Sequence, residues 1–178
     1  ARDVYKRQGI ILWKKQLPEK ILPPVYSLDV FKNDNRQLVF CTESKLWMLD
    51  FDGDEVSNYP IQLPSPASAA MSAIDYDNSR DYRFYIPCSN GTVYGYQPGG
   101  KPIPGWNFSS RNDITDEPLQ YYKVKDKDYL IASTRSGKSF ALDRNGKLSL
   151  VINDAVNKLK GSDSVSYTHL TLPTTSRV

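Results

Sequence analysis

Apolar residues along this 178-residue chain come in short runs. Each run is closed within a few positions by Gly, Asn, Asp or Pro, and no long stretch holds an apolar stripe at helical spacing. Runs of β-branched, aromatic and aliphatic residues punctuated in this way predict strands. They fall at 26–31, 38–42, 45–50 and 55–63, then at 71–76, 82–88, 92–96 and 103–108, and then at 119–124, 129–133, 139–143 and 148–152. Asp52-Gly53, Asn90-Gly91, Gly99-Gly100 and Asn145-Gly146 stand between successive runs. They predict primed hairpin turns, where the backbone takes positive φ. Pro18, Pro23 and Pro24 predict a break ahead of the first group of four, and a short helical turn is expected near 155–160.

The groups repeat. Gly53, Gly100 and Gly146 are spaced by 47 and then 46 residues, and the positions before each agree. Six before the glycine is always aromatic (Trp47, Tyr94, Phe140), four before is large and apolar (Leu49, Tyr96, Leu142), and twelve before stand Cys41, Cys88 and Thr134. A fixed period of this length marks a repeat architecture. Four short strands per period fit the blades of a β-propeller, in which four-stranded sheets surround a central channel. The expected fold class is therefore all-β, a partial β-propeller of about three four-stranded blades with a repeat of about 46 residues. Blades are expected at 25–63, 64–108 and 109–153. The last strand of a preceding blade and a linker are expected at 9–24, and the start of the next connection at 154–163.

The two ends read differently. Residues 3–8 are what a transposon end used in preparing sequencing libraries encodes, and 165–175 translate the same end on the opposite strand. Residues 1–8 and 164–178 are read as adapter-derived and set aside before fold reasoning, with the remainder a slice of a longer protein. Setting them aside changes the charge. The whole chain carries 23 basic and 20 acidic residues, whereas 9–163 carries 19 of each. That balance gives no argument for nucleic acid or an anionic membrane. The single histidine, His169, lies in the tail set aside. No imidazole is then left as general base or metal ligand, which excludes Ser-His and Cys-His hydrolases. Cys41 and Cys88, at the same count before their glycines, are expected as free thiols in a small buried slot. Equivalent positions of neighbouring blades diverge beyond the span of a disulfide.

The order of apolar run, short turn, aromatic, large apolar residue, Asp or Gln, turn glycine and a further aromatic resembles the repeats of PQQ-like β-propellers. That superfamily holds quinoprotein dehydrogenases and many non-catalytic bacterial scaffolds. In it, a Gly-Lys-x-x-Trp segment docks its Trp between blades. Gly9 and Trp13 keep that spacing, Tyr59 and Trp106 stand six past their glycines, and Ile152 takes the place in the third copy. The resemblance implies that Gly53, Gly100, Gly146, Trp47, Tyr94, Phe140, Trp13, Tyr59 and Trp106 are structural repeat positions. It also favours a periplasmic or cell-envelope location. A WD-type repeat is a weaker match, since no Trp-Asp pair closes a blade.

Two motifs point toward chemistry. The segment 49–55, Leu-Asp-Phe-Asp-Gly-Asp-Glu, resembles the nucleophile motif of haloacid-dehalogenase-type phosphatases, which would make Asp50 the nucleophile and Asp52 the acid/base around a metal. The same register in the other copies reads Tyr-Gln-Pro-Gly-Gly and Leu-Asp-Arg-Asn-Gly, so the carboxylates come and go while the turn stays, and the turn reading is preferred. The segment 75–81 resembles a calcium loop of integrin-type repeats, with Asp75, Asp77, Ser79 and Asp81 as oxygen ligands. Its alternative is an Asx-type turn without metal. A quinoprotein site would need vicinal cysteines and a stacking Trp, and the cysteines here are 47 apart. No Gly-rich phosphate loop leads from a strand into a helix.

The function expected is thus a non-catalytic scaffold or protein-binding module without a required cofactor. The alternative is an enzyme, either the Asp50/Asp52 phosphatase or a quinoprotein dehydrogenase whose active site lies in further blades. A protein partner is expected at loops 64–68 and 109–118, whose mixed polarity suits a rim contact.

Overall fold

Each group of runs closes into its own sheet. The computed structural model describes residues 13–152. The adapter-like stretches, the start of the preceding strand, the helical turn near 155–160 and His169 lie outside the described residues. In blade 1, β1 (Ile21–Leu28), β2 (Gln37–Thr42), β3 (Lys45–Leu49) and β4 (Ile61–Gln62) pair antiparallel in chain order. Blade 2 does the same with β5 (Ser72–Ile74), β6 (Arg83–Pro87), β7 (Thr92–Tyr96) and β8 (Phe108–Ser109). Blade 3 is built from β9 (Gln120–Val124), β10 (Lys127–Ser133), β11 (Ser139–Leu142) and β12 (Leu148–Ile152). The all-β, three-blade expectation is met. Among the described residues no helix is long and apolar enough to cross a membrane.

Strand pairing fixes which positions are equivalent. One row across each sheet reads Tyr26–Val39–Met48, Ser72–Tyr85–Gly95 and Gln120–Ile131–Ala141. Counting from these rows corrects the expectation for the cysteines. The β2–β3 turn of blade 1 has two residues, Glu43 and Ser44, where blade 2 has Ser89, Asn90 and Gly91 between the backbone-bonded Cys88 and Thr92. Cys88 therefore matches Thr42, not Cys41. Both thiols are nevertheless free and buried in one core.

Three further expectations are revised. Pro18 stands in a bend ahead of blade 1, but Pro23 and Pro24 do not break the chain, because β1 runs through them. The ladder pairs Leu22 with Cys41 and resumes at Tyr26 with Val39, and the bulge between them removes the need for proline N–H donors. Blades 2 and 3 carry the same bulge, from Ala67 opposite Cys88 to Ser72 opposite Tyr85 and from Thr115 opposite Thr134 to Gln120 opposite Ile131. Second, residues 13–20 form no strand; Trp13 and Leu17 pack on Phe40, Trp47 and Leu49 instead. Third, the turns are not primed. Gly53, Gly91 and Gly146 have φ of +87°, +76° and +79°, while Asp52, Asn90 and Asn145 are not left-handed. These are three-residue loops, a type I turn closed by a glycine bulge.

The blades pack face to face. Val39, Cys41, Leu46 and Met48 of blade 1 meet Phe84, Ile86, Cys88 and Tyr96 of blade 2. Tyr85, Val93 and Phe108 on the other side of blade 2 meet Leu130, Ala132 and Leu142 of blade 3. Alternation along each strand thus buries both faces of blade 2, as sheet-on-sheet packing requires. Polar bonds lock the inner strands: the Tyr26 hydroxyl donates to Met71 O at 3.2 Å and the Ser72 hydroxyl to Leu119 O at 2.7 Å. These are equivalent donors reaching equivalent carbonyls one blade on.

Candidate interaction surface

The turn glycines and the docking aromatics come together at the blade junctions. A Cβ on Gly53 would lie 2.7 Å from the Trp13 ring, and one on Gly146 would lie 3.1 Å from the Trp106 ring. Trp13 donates its ring N–H to Phe51 O at 2.8 Å, and Tyr59 its hydroxyl to Pro98 O at 3.0 Å. Phe51 and Pro98 each stand two before a turn glycine. Trp106 instead donates to Val93 O of its own blade at 2.7 Å and packs on Tyr85 with ring centroids 4.5 Å apart. Trp47 stacks on Phe40, and Phe140 packs on Phe108. Tyr94 is half-buried in the core between blades 1 and 2. Tyr59, Tyr94, Trp106 and Phe140 pack between blades, Trp13 and Trp47 line the far face of blade 1, and the chemistry of all six is packing.

The β3–β4 turn uses its carboxylate locally. Asp50 Oδ1 accepts the amides of Asp52 and Asp54, and Asp143 Oδ1 accepts those of Asn145 and Lys147 in blade 3. Asp50 therefore does in blade 1 what Asp143 does in blade 3, where the second Asp of the phosphatase motif is absent. Asp52 is exposed.

Asp75, Asp77, Ser79 and Asp81 do not converge on one point. Asp75 accepts the amides of Ser79 and Arg80 at 3.1 and 2.8 Å, the geometry of an Asx-type turn. Asp77 takes the Arg144 guanidinium through both oxygens, at 3.0 and 2.7 Å, and Asp81 takes Lys32 at 2.8 Å. Among the described residues no group of three or more His, Cys, Asp or Glu side chains is placed to hold a metal ion. The donor set thus does not fit calcium. Blade 1 repeats the turn: Asp29, 46 residues earlier, accepts the amides of Asn33 and Asp34 at 3.0 and 3.1 Å.

These two eight-residue loops carry ion pairs that cross from blade to blade. Arg80 reaches from blade 2 to Asp29 and Asp34 of blade 1. Arg144 reaches from blade 3 to Asp77 of blade 2 and, at 2.5 Å, to Asp128 of its own blade. Its guanidinium lies 4.6 Å over the Tyr76 ring, a cation–π contact. Hydrogen bonding to Arg144 holds the Asp77 carboxyl below the ordinary range. Burial pulls the Asp29 carboxyl upward, but the amides of Asn33 and Asp34 and the charge of Arg80 outweigh it and hold it low. Between these loops Ser27, Asp29, Asp34, Arg36, Arg80 and Tyr82 line a shallow recess, with Phe31 exposed on the same loop. Sequence reasoning missed Arg80, Arg144 and Asp29. The available signal was the 46-residue spacing of Asp29 and Asp75 in register with the repeat.

The opposite face, at 64–68 and 109–118, is stitched rather than open. Ser68 donates to Thr115 O at 2.6 Å, and the Ser136 hydroxyl donates to Asp113 at 2.5 Å. Gly91 O accepts from the Ser110 amide and from the hydroxyls of Ser109 and Ser110.

The described fold is similar to solved β-propellers. One is BBS1N in complex with ARL6DN, at 18% identity and a TM-score of 0.53 over 75% of this chain and 43% of that one. Another is BamB from Moraxella catarrhalis, at 16% identity and 0.50 over 78% and 39%. A third is the Neurospora crassa Pan2 WD40 domain, at 12% identity and 0.50 over 74% and 36%. The chain spans less than half the length of each. No family model and no curated protein matches it.

Proposed function

We propose that this chain is a non-catalytic, protein-binding β-propeller module. Its partner is read by the loop surface at the junction of blades 1 and 2, and the module belongs to a larger bacterial protein of the cell envelope. The observation that carries the reading is the recess itself. It sets guanidinium groups of Arg36 and Arg80 beside Asp34 on loops pinned by Asx turns, with exposed Phe31 at hand. Arg and aromatic side chains on a rigid, preorganised surface are what protein-recognition hot spots are made of. The envelope part rests on the PQQ-like repeat pattern alone, and the bacterial part on that pattern together with the likeness to BamB from Moraxella catarrhalis. The likeness to BBS1N, solved with ARL6DN bound, supports protein as the class of partner.

A displayed peptide library selected on the full chain tests this. Enriched peptides are expected to lose binding to Phe31→Asp and to Arg36→Glu, while binding untouched by both substitutions overturns the placement. Magnesium-dependent hydrolysis of p-nitrophenyl phosphate that Asp50→Asn abolishes would overturn the non-catalytic reading.

A further inference from the structure

Asp29 and Asp75 open two loops of the same build. Counting along them from the paired strands, Asp34 is the equivalent of Arg80, both left-handed at φ +63°, and Arg36 is the equivalent of Tyr82. Where the loops meet, these side chains line, with Ser27 and Asp29, a recess of about 120 Å³. Small-molecule sites run to roughly 300–1,000 Å³. A recess of this size suits the end of one side chain, not a nucleotide or a cofactor.

Its acceptors are largely occupied and its donors are not. Asp29 takes the Asn33 and Asp34 amides on its two oxygens, and the Arg80 guanidinium as well. Asp34 takes Arg80 at 3.2 Å, with its own side chain 91% exposed. Arg36, by contrast, uses only one of the five N–H donors of a guanidinium. That one goes to Ser27 O at 3.2 Å, and among the described residues Arg36 pairs with no carboxylate. The hydroxyls of Ser27 and Tyr82 have no hydrogen-bond partner among the described residues. An occupant that completes this set brings acceptors and a negative charge.

The surroundings select which anion. Phosphate recognition uses clusters of Arg, whereas Arg80 is already neutralised and a dianion would stand against Asp29 and Asp34. A chain-terminal carboxylate is captured by nests of backbone amides, and here Asp29 and Asp75 take the amides of Asn33, Asp34, Ser79 and Arg80. A side-chain carboxylate needs one guanidinium, which it meets as a two-pronged fork. Phe31, on the same loop and 51% exposed, adds apolar surface beside it.

We propose that the recess seats an Asp or Glu side chain of the partner protein. Its carboxylate is taken by the Arg36 guanidinium and the Tyr82 and Ser27 hydroxyls, and an apolar neighbour of that residue lies on Phe31. This rests on the loop surface being the protein-binding one, and adds the chemistry that the surface reads.

Peptides enriched on the full chain from a displayed random library are synthesised, and each Asp and Glu is replaced in turn by Asn or Gln. One acidic position is expected to dominate, its neutralisation weakening Kd by about tenfold or more. Arg36→Gln is expected to weaken the parent peptide by a similar factor and to leave the neutralised peptide unchanged, the coupling that a direct contact gives. Arg36→Lys, which keeps the charge and loses the fork, should fall between. The peptide-side substitutions keep the test decisive if Arg36→Gln fails to fold. Peptides that lose binding to Phe31→Asp yet have no dominant acidic position, or that bind tighter with phosphoserine in its place, overturn the carboxylate and leave the surface standing. Enrichment of nothing, or only of peptides indifferent to both Phe31→Asp and Arg36→Glu, overturns the surface and the carboxylate together.

Discussion

The hydroxyl of Thr115 is buried and has no hydrogen-bond partner. Pairing opposite Thr134 puts it where blade 2 has Ala67 and blade 1 has Ile21, so the position is apolar in both other copies. A buried hydroxyl left without a partner costs about 1–3 kcal/mol. Thr115→Val, which keeps the shape and leaves the carbonyl that Ser68 uses, is expected to stabilise the chain by about 1 kcal/mol. Urea denaturation checks it: the midpoint should rise at constant m, and an unchanged or lower midpoint would mean the hydroxyl is satisfied. Gly91 is the opposite case. It sits at φ +76°, and a Cβ there would lie 2.4 Å from Arg111 O, a backbone atom that cannot swing aside. Left-handed backbone alone costs a residue with a Cβ about 1–2 kcal/mol. Gly91→Ala is therefore expected to lower stability by more than about 2 kcal/mol; a loss under half of that in the same urea assay would refute the clash. The thiols are inert for a related reason. Burial pushes Cys41 up to about 11 and Cys88 up to about 12, and neither presents surface to a reagent.

At the scale of elements, Arg144 is the tie between blades 2 and 3. Because the Asp77 carboxyl is held below its ordinary value, the pair contributes stability that is fully present above the unfolded carboxylate pKa, about 3.9, and is lost as pH falls through the lower folded value. Arg144→Gln should lower the melting temperature at pH 7 and flatten its dependence on pH between about 5 and 2. Parallel curves for the two proteins would show that the pair carries no linkage. None of this was visible in the run pattern, because a surface Arg and an Asp 67 residues away carry no periodic signal. What was legible follows from what the repeat conserves. Aromatic, apolar residue and turn glycine lie on one strand and its turn, with a fixed count between them, so β3, β7 and β11 were placed almost to the residue. The count failed wherever loop length changes. The shorter turn at Glu43–Ser44 shifted Cys41 against Cys88, and the bulge at Pro23 and Pro24 hid the start of β1. The Asp75 loop resembled a cation site because Asx turns and calcium loops spend the same residue types. Only geometry tells whether the carboxylates meet one ion or separate amides and guanidinium groups.

At the scale of the whole molecule, the blades are not equally held. Both faces of blade 2 are covered, one by blade 1 and the other by blade 3, and the far face of blade 1 is covered by Trp13 and Leu17. Blade 3 has one covered face and one that exposes Tyr122, Val124 and Leu150. In stacked repeats, stability is the sum of each unit's own and of its interfaces with neighbours. A unit with one interface opens at lower free energy than one with two. Amide exchange of the full chain at low concentration should therefore be slowest in β6 and β7 and faster in β10 and β11. Equal protection across the three blades would show that they open only together.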